Sequence, residues 1–240
     1  SLVSGLHRKL SEESELVKAA AASRQQLIDI RVPPASISIA TGRRRSGKRL
    51  LMVGTDCCVG KKYSALSLHK ALKERGIAAT FRATGQTGIL IAGRGIPMDA
   101  VVSDFLSGAA ETLTPDAATD HWDVIEGQGS LFHPAYAAVT LGLLHGSQPD
   151  AMVLCHGVGR MVIDEYEDYP VPDLRDCVAQ YEQAARVTNR VSSIVGISLN
   201  TQGLSDDEAL RACRDASTLT GLPCVDPMRH ALDSILDALP

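Results

Sequence analysis

The stretch VGTDCCVGKKYS, Val53 to Ser64, closes an apolar run (RLLMVG, residues 49–54) with a short loop ending in Gly60-Lys61. An apolar strand, a glycine-bearing loop and an amphipathic helix, in that order, are the parts of a phosphate-binding loop. The helix start supplies unpaired N–H groups and a partial positive charge for the phosphate. Aligned on Gly60-Lys61, the pattern G-x-x-x-x-G-K-[ST] has Thr55 at its first glycine, with Gly54 one residue earlier. At the last position, where Ser or Thr ordinarily ligates Mg²⁺, it has Lys62. Lysine repels a divalent cation, but beside Lys61 it can neutralise a pyrophosphate directly. That favours a nucleotide held as a handle, as in coenzyme A, over one cleaved as a fuel. The candidate cofactor cradle comprises Gly54, Thr55, Cys57, Cys58, Val59, Gly60, Lys61, Lys62, Tyr63 and Ser64, with no metal. Ser64 is the hydroxyl that could restore a magnesium ligand. In that alternative the chain is a Mg-ATP-dependent kinase or ligase. Cys57 and Cys58 sit near the helix start, which lowers thiol pKa; small packing side chains are their plainer use.

Outward from the loop, strands and helices alternate. Residues 61–75 carry Ala65, Leu68 and Leu72 on one stripe and stop at Gly76. Strands are expected at AATFRA (78–83), WDVIEG (122–127), DAMVLCH (150–156), SSIVGISLN (192–200) and PCVDP (223–227). Helices are expected at 99–111, 135–146 (ended by Gly146), 173–189, from the Ser205 cap to Gly221, and up to Leu236. Short strands separated by such helices predict an α/β fold of the P-loop type, a mostly parallel sheet with helices on both faces. Ligands in such sheets bind at the carboxyl ends of the strands. Before residue 49 the pattern is weaker: a helix over 11–22 capped at Ser11, a short strand LIDIR (27–31), the Pro33-Pro34 break, and a connector carrying Arg43-Arg44-Arg45, read as a solvated linker. The expected division is 1–48, the end of an N-terminal domain plus linker, and 49–240, the P-loop-like α/β catalytic domain.

Bulk properties exclude several classes. A net charge of -4 does not suggest nucleic acid or an anionic membrane as partner. No apolar stretch reaches the length of a membrane span, and the first twenty residues are amphipathic and mixed in charge, unlike a signal peptide. Because the chain begins without Met, it is expected to be processed or a piece of something longer. The 6 cysteines form no CxxC pair and no metal-finger spacing, which fits reduced thiols in the cytoplasm. The expected setting is cytoplasmic, with a homo-oligomer acting on a small-molecule substrate.

Further candidates lie at other strand ends. FRATGQTGILIAGRG (81–95) offers Arg82 as a two-pronged clamp for a substrate carboxylate, with Thr84, Gly85, Gln86 and Thr87 on a glycine-rich loop. DVIEGQGSLFHP (123–134) ends an apolar strand at Glu126, followed by Gln128, Ser130 and His133. Glu126, Asp56 or His133 is the candidate general base, Glu126 first. LCHGVGR (154–160) repeats the scheme with His156 and Arg160, and SLNTQG (198–203) places Asn200 and Thr201 where an adenine edge could be read.

GTDCCVGK together with the later EGQGS resembles the dethiobiotin synthetase pattern and implies that broad class of P-loop fold. A closer match runs from Arg49 to the end: GTDCCVGKKYSAL, FRATGQTGILIAG, DAVVSDFLSGAAE, HWDVIEGQGSLFHPAYAAVTLGLLHGSQPDA, VGISLNT and GLPCVDP resemble the D-glutamate N-acetyltransferase family of bacterial D-amino acid catabolism. The stretch HGVGRMVIDEYEDYPVPD (156–173) departs from that pattern. The resemblance implies acetyl transfer from acetyl-CoA to the amine of D-glutamate. It also implies a small Rossmann-like N-terminal domain, of which residues 1–48 would be the remnant. Two rivals differ in kind. The ATP-dependent kinase or ligase needs Mg²⁺. A nucleotide sensor without turnover has no need of Glu126 and His133 at strand ends.

Overall fold

The computed structural model describes residues 1–240. Six parallel strands form the central sheet: β3 (Lys48–Gly54), β4 (Ala79–Arg82), β5 (Trp122–Ile125), β6 (Ala151–Gly157), β9 (Ser193–Asn200) and β10 (Cys224–Val225), in the order β10-β9-β6-β3-β5-β4. β3 and β6 are buried along nearly their whole length, which is why both read as continuous apolar runs rather than alternating ones. One face packs Leu51, Val53, Ile125, Met152 and Leu154 under α4 (Leu106–Leu113), α5 (Ala137–Ser147), α6 (Leu174–Arg186) and α7 (Asp206–Thr220). The other packs Leu50, Met52, Val124 and Val153 against α2 (Lys61–Glu74) and α8 (Asp233–Leu236). The chain leaves β3 for β4 on one side, while β6 lies on the other. The loop after β3 therefore opens at a switch point of strand order, where such sheets bind ligands.

Residues 1–33 add β1 (Leu2–Ser4), α1 (Ser14–Ala22) and β2 (Leu27–Asp29), with β1 and β2 paired in parallel. Ser11 does not cap α1. A 3₁₀ turn (Leu10–Glu12) precedes the helix, and Asp29 accepts from the N–H groups of Leu10 and Ser11. The expected helix over 99–111 is also corrected: two 3₁₀ turns (Met98–Ala100, Ser103–Phe105) lead into α4. Gly146 is not a stop. A Cβ there would lie 2.7 Å from the Ala110 Cβ, so it is a glycine for close α4–α5 contact, and α5 ends at Gln148 in the left-handed region. The α7 boundaries hold as expected, with a Ser205–Glu208 capping box and Gly221 closing the helix.

The arginine run is not a solvated linker throughout. Arg45 is only 7% exposed. Its Nε donates to Thr114 O at 2.7 Å and its Nη2 to Gly146 O at 2.7 Å, so one guanidinium closes the carboxyl ends of α4 and α5. Arg43 and Arg44 pair with Asp116 and Asp150. Replacing Arg45 with Met strands those carbonyls without a charged donor. We expect a loss of about 2–3 kcal/mol, measured as a lowered denaturant midpoint with unchanged slope; an unchanged midpoint would refute this role.

Candidate active site

β3 delivers the loop, and α2 begins directly behind it. Gly60 stands at the helix N-cap with φ +105, and Cys58 also has a positive φ of 56. This backbone turns the amides outward: no main-chain N–H from 58 to 63 donates within the chain. Gly54 is required by close approach, since a Cβ there would lie 3.0 Å from both the Lys61 Nζ and the Val59 Cγ2. Lys61 is buried; its Nζ donates to Asp56 O at 2.7 Å, and burial lowers its pKa. Lys62 Nζ lies 4.7 Å from the centre of the exposed Tyr63 ring. Free amides, an uncapped helix start and two ammonium groups form an electropositive loop suited to an anion such as a phosphate.

Besides a cleft of about 930 Å³ lined by Cys58, Val59, Arg160 and Asp164 among others, two more flank the loop. One, of about 490 Å³, is lined by Cys57, Lys61, Lys62, Gln86, Thr87, Glu126 and Gln128 among others. The second, of about 380 Å³, lies beyond Tyr63 and is lined by Asn200, Gln202, Pro227, Met228 and Arg229. Asn200 and Gln202 border all three.

Of the three candidate bases, Glu126 is the one that keeps a carboxylate oxygen unbonded. It is only 3% exposed. Its Oε2 accepts from the N–H groups of Thr84 (2.9 Å) and Gly85 (3.0 Å), while Oε1 has no hydrogen-bond partner in the chain. Burial raises its pKa above the usual carboxylate range, partly opposed by those amides. α3 (Gln86–Ala92) approaches so closely that a Cβ at Gly88 would lie 2.8 Å from the Glu126 Cδ. The segment expected as a glycine-rich loop is therefore mostly this helix, and its glycine makes room for the carboxylate.

The other candidate bases are engaged. Asp56 is fully buried: Oδ1 accepts from Cys57 N–H, and Oδ2 accepts from Asp164 N–H at 2.8 Å with Arg160 3.2 Å away. It staples an unforeseen hairpin, β7 (Val162–Ile163) and β8 (Tyr166–Pro170), onto the loop. His133 is 2% exposed. Its Nδ1 accepts from Ala135 N–H at 3.1 Å, so the neutral ring carries its proton on Nε2 and offers a donor rather than a base. Asp56, Cys57 and His133 bring one polar atom each within 4.8 Å of the others. A cation there would have to displace Arg160 from Asp56. At Cys57 burial outweighs the helix start and the nearby Lys61, and the thiol is pushed up to about 11, opposite to the shift expected from the loop position.

Several expected ligand contacts turn inward. The Arg82 Nε donates to Asp123 Oδ1 at 2.7 Å, and Arg82 faces a different recess near Pro34 and Arg94 instead of the loop clefts. Thr55 pairs with His156 Nδ1 at 2.9 Å, and Thr201 bonds to Asp226. The Ser130 hydroxyl accepts from Phe132 N–H. The Ser64 hydroxyl lies 2.7 Å from Ser198 Oγ and donates to Gly60 O, so the proposed substitute magnesium ligand is committed to the interior. Thr84 holds Glu126, and Gln128 donates to Thr84 Oγ1 at 3.1 Å. The residues missed from sequence were Gly88, Gln202 and the Pro227–Arg229 wall. Only the strand ending VDP hinted at that wall.

Comparison with known proteins agrees with this architecture. Residues 38–236 match the domain of unknown function DUF1611 (DUF1611_C), a P-loop domain, and residues 1–33 match its Rossmann-like partner DUF1611_N. A D-glutamate N-acetyltransferase from Pseudoalteromonas sp is 50% identical over 236 residues, 98% of this chain and 71% of that protein. Another from Tritonibacter scottomollicae is 50% identical over 99% of this chain and 72% of its own length. A crystal structure of a DUF1611 family protein from Anabaena variabilis superposes with a TM-score of 0.93 at 39% identity, over 100% of this chain and 71% of that one. No helix is long and apolar enough to cross a membrane.

Proposed function

We propose that this chain, which belongs to the DUF1611 family, is an N-acetyltransferase that acetylates the amine of D-glutamate, with acetyl-CoA as the acyl donor. The observation that carries the activity is the 50% identity, across nearly the whole chain, to relatives named D-glutamate N-acetyltransferase. The donor is supported by chemistry at the loop. Lys62 stands at the magnesium position, and the Ser64 hydroxyl is bonded inward. Lys61, Lys62 and the free amides would hold the diphosphate. Tyr63, Asn200, Pro227 and Met228 would form the walls for the adenine. The thioester would then extend into the cleft shared with Glu126.

D-Glutamate arrives as an ammonium dicarboxylate. Glu126 removes a proton from the ammonium through its unbonded Oε1, because only the neutral amine attacks a carbonyl carbon. Gln86, Thr87 and Gln128 line the same cleft and offer donors for the carboxylates. With Arg82 tied to Asp123, these and Lys62 are the substrate-side polar groups supporting recognition. Holding amine and thioester together supplies much of the rate, since effective molarities reach about 10⁵ M or more.

The direct test is turnover. With acetyl-CoA and D-glutamate, and with EDTA present, the protein is expected to release CoA and form N-acetyl-D-glutamate stoichiometrically. ADP formation from ATP and magnesium, without CoA release, would instead establish the kinase or ligase class.

A further inference from the structure

The carboxyl ends of β1 and β2 lie side by side, tied by the Ile30 N–H, which donates to Ser4 O at 2.8 Å. Each end meets the segment that follows β4. Gly5, directly after β1, approaches the first residue of α3 so closely that a Cβ would lie 3.0 Å from both the Cβ and the Cγ of Gln86. The φ of Gly5 is not positive, so the close approach is what calls for glycine there. Arg31, just past β2 and 9% exposed, pairs with Asp99 in the 3₁₀ turn Met98–Ala100. The N-terminal unit thus grips residues 86–99 at both ends.

Both grips bear on one corner of the cleft. Met98, next to Asp99, donates its N–H to Thr84 O at 3.0 Å, and the N–H groups of Thr84 and Gly85 hold Glu126. Gly85, next to Gln86, is so tightly set that a Cβ would lie 2.6 Å from Gln128 Nε2. Gln86, Gln128 and Glu126 all line the cleft assigned to the acceptor. Atoms packed at these distances pass a displacement on rather than absorb it. No hydrogen bond or ion pair joins residues 1–33 to the phosphate loop.

We propose that the N-terminal unit is part of the acceptor site, with Gly5 and Arg31 as positioning residues that fix Gln86 and so set the fit of the amino-acid substrate. This rests on the reading of D-glutamate as the acceptor in the Gln86 cleft. Gly5 acts by contact on Gln86 itself. Arg31 acts through Asp99, Met98 and Thr84. Neither residue touches the donor, so the unit tunes acceptor recognition and leaves the grip on acetyl-CoA alone.

Steady-state kinetics on the protein test this, with acetyl-CoA binding followed by calorimetry. Gly5→Ala should raise the KM for D-glutamate about 3- to 10-fold, short of the roughly 100-fold that a full 1 Å misplacement can cost. Its acetyl-CoA affinity should stay at the wild-type value. Arg31→Gln should raise the same KM, and Arg31→Lys, which keeps the charge opposite Asp99, should restore most of it. A double-mutant cycle separates positioning from general packing. Gln86→Gly removes both crowded atoms, so adding Gly5→Ala in that background should raise the KM no further. If wild-type protein makes N-acetyl-D-glutamate but Gly5→Ala leaves the D-glutamate KM unchanged, the inference falls and the assigned activity stands. Additive effects in the Gln86→Gly background, or an equal loss of acetyl-CoA affinity, also overturn it. If wild-type protein forms no N-acetyl-D-glutamate, the activity itself falls and the inference with it.

Discussion

Glu126→Gln is expected to lower kcat about 10²- to 10⁴-fold, the usual worth of a general base, while acetyl-CoA affinity stays unchanged. The amide keeps an oxygen for the N–H groups of Thr84 and Gly85, so the strand end should hold its shape. The pH profile supplies the sign. Burial raises the Glu126 pKa above its ordinary 4.5, and a general base acts in its ionised form. The wild-type kcat/KM should therefore fall, as pH drops, through a pKa above 4.5, and the residual activity of the Gln variant should lack that limb. Gly88→Ala gives an orthogonal test. Its Cβ would lie 2.8 Å from the Glu126 Cδ, so it pushes the carboxylate aside without removing it. It should reproduce most of the kcat loss with little change in melting temperature. A Glu126→Gln protein with full kcat would remove this residue from the mechanism.

Gly127→Ala should be the most damaging substitution for the site as a whole. The new Cβ would lie 2.8 Å from the Met52 carbonyl carbon and inside contact distance of its oxygen, both backbone atoms, and 3.0 Å from the Lys61 Cδ. Neither β3 nor β5 can yield cheaply, because both are buried in the middle of the sheet. Overpacking of this kind costs about 1–3 kcal/mol or more. For a chain of this size, each kcal/mol lowers the melting temperature by about 2–4 °C. Any relief comes from moving the strand that launches the phosphate loop or from moving Lys61, so acetyl-CoA affinity should fall together with stability. A variant with wild-type melting temperature and affinity would contradict the packing at this junction.

The parts legible in the sequence are those written locally. The strand–loop–helix at Gly54–Lys61 and the Ser205 capping box depend on residues within a few positions of one another. Glu126 was legible because an apolar strand can end on a carboxylate only at the sheet edge. What failed was the inference from a polar side chain to a ligand contact. Thr55, Ser64 and Thr201 each bond across the sheet to residues distant in sequence, such as His156, Ser198 and Asp226. Arg82 is likewise neutralised by Asp123, 41 positions away. α3 was hidden because Gly85, Gly88 and Gly93 weaken helix propensity, yet Gly88 is there for the Glu126 carboxylate. The β7–β8 hairpin was hidden because its strands are short and largely exposed, and its tie to the loop is the bond between Asp164 and Asp56.

In the proposed donor site two ammonium groups replace a magnesium ion at the loop. Calorimetric titration of acetyl-CoA, in magnesium and again in EDTA, tests this most directly. The same affinity is expected in both buffers, with Lys61→Ala binding about 10- to 100-fold more weakly, as loss of a charge-assisted contact implies. Acetyl-CoA binding that vanishes in EDTA, or ATP binding tightly only with magnesium while acetyl-CoA gives no heat, would contradict it.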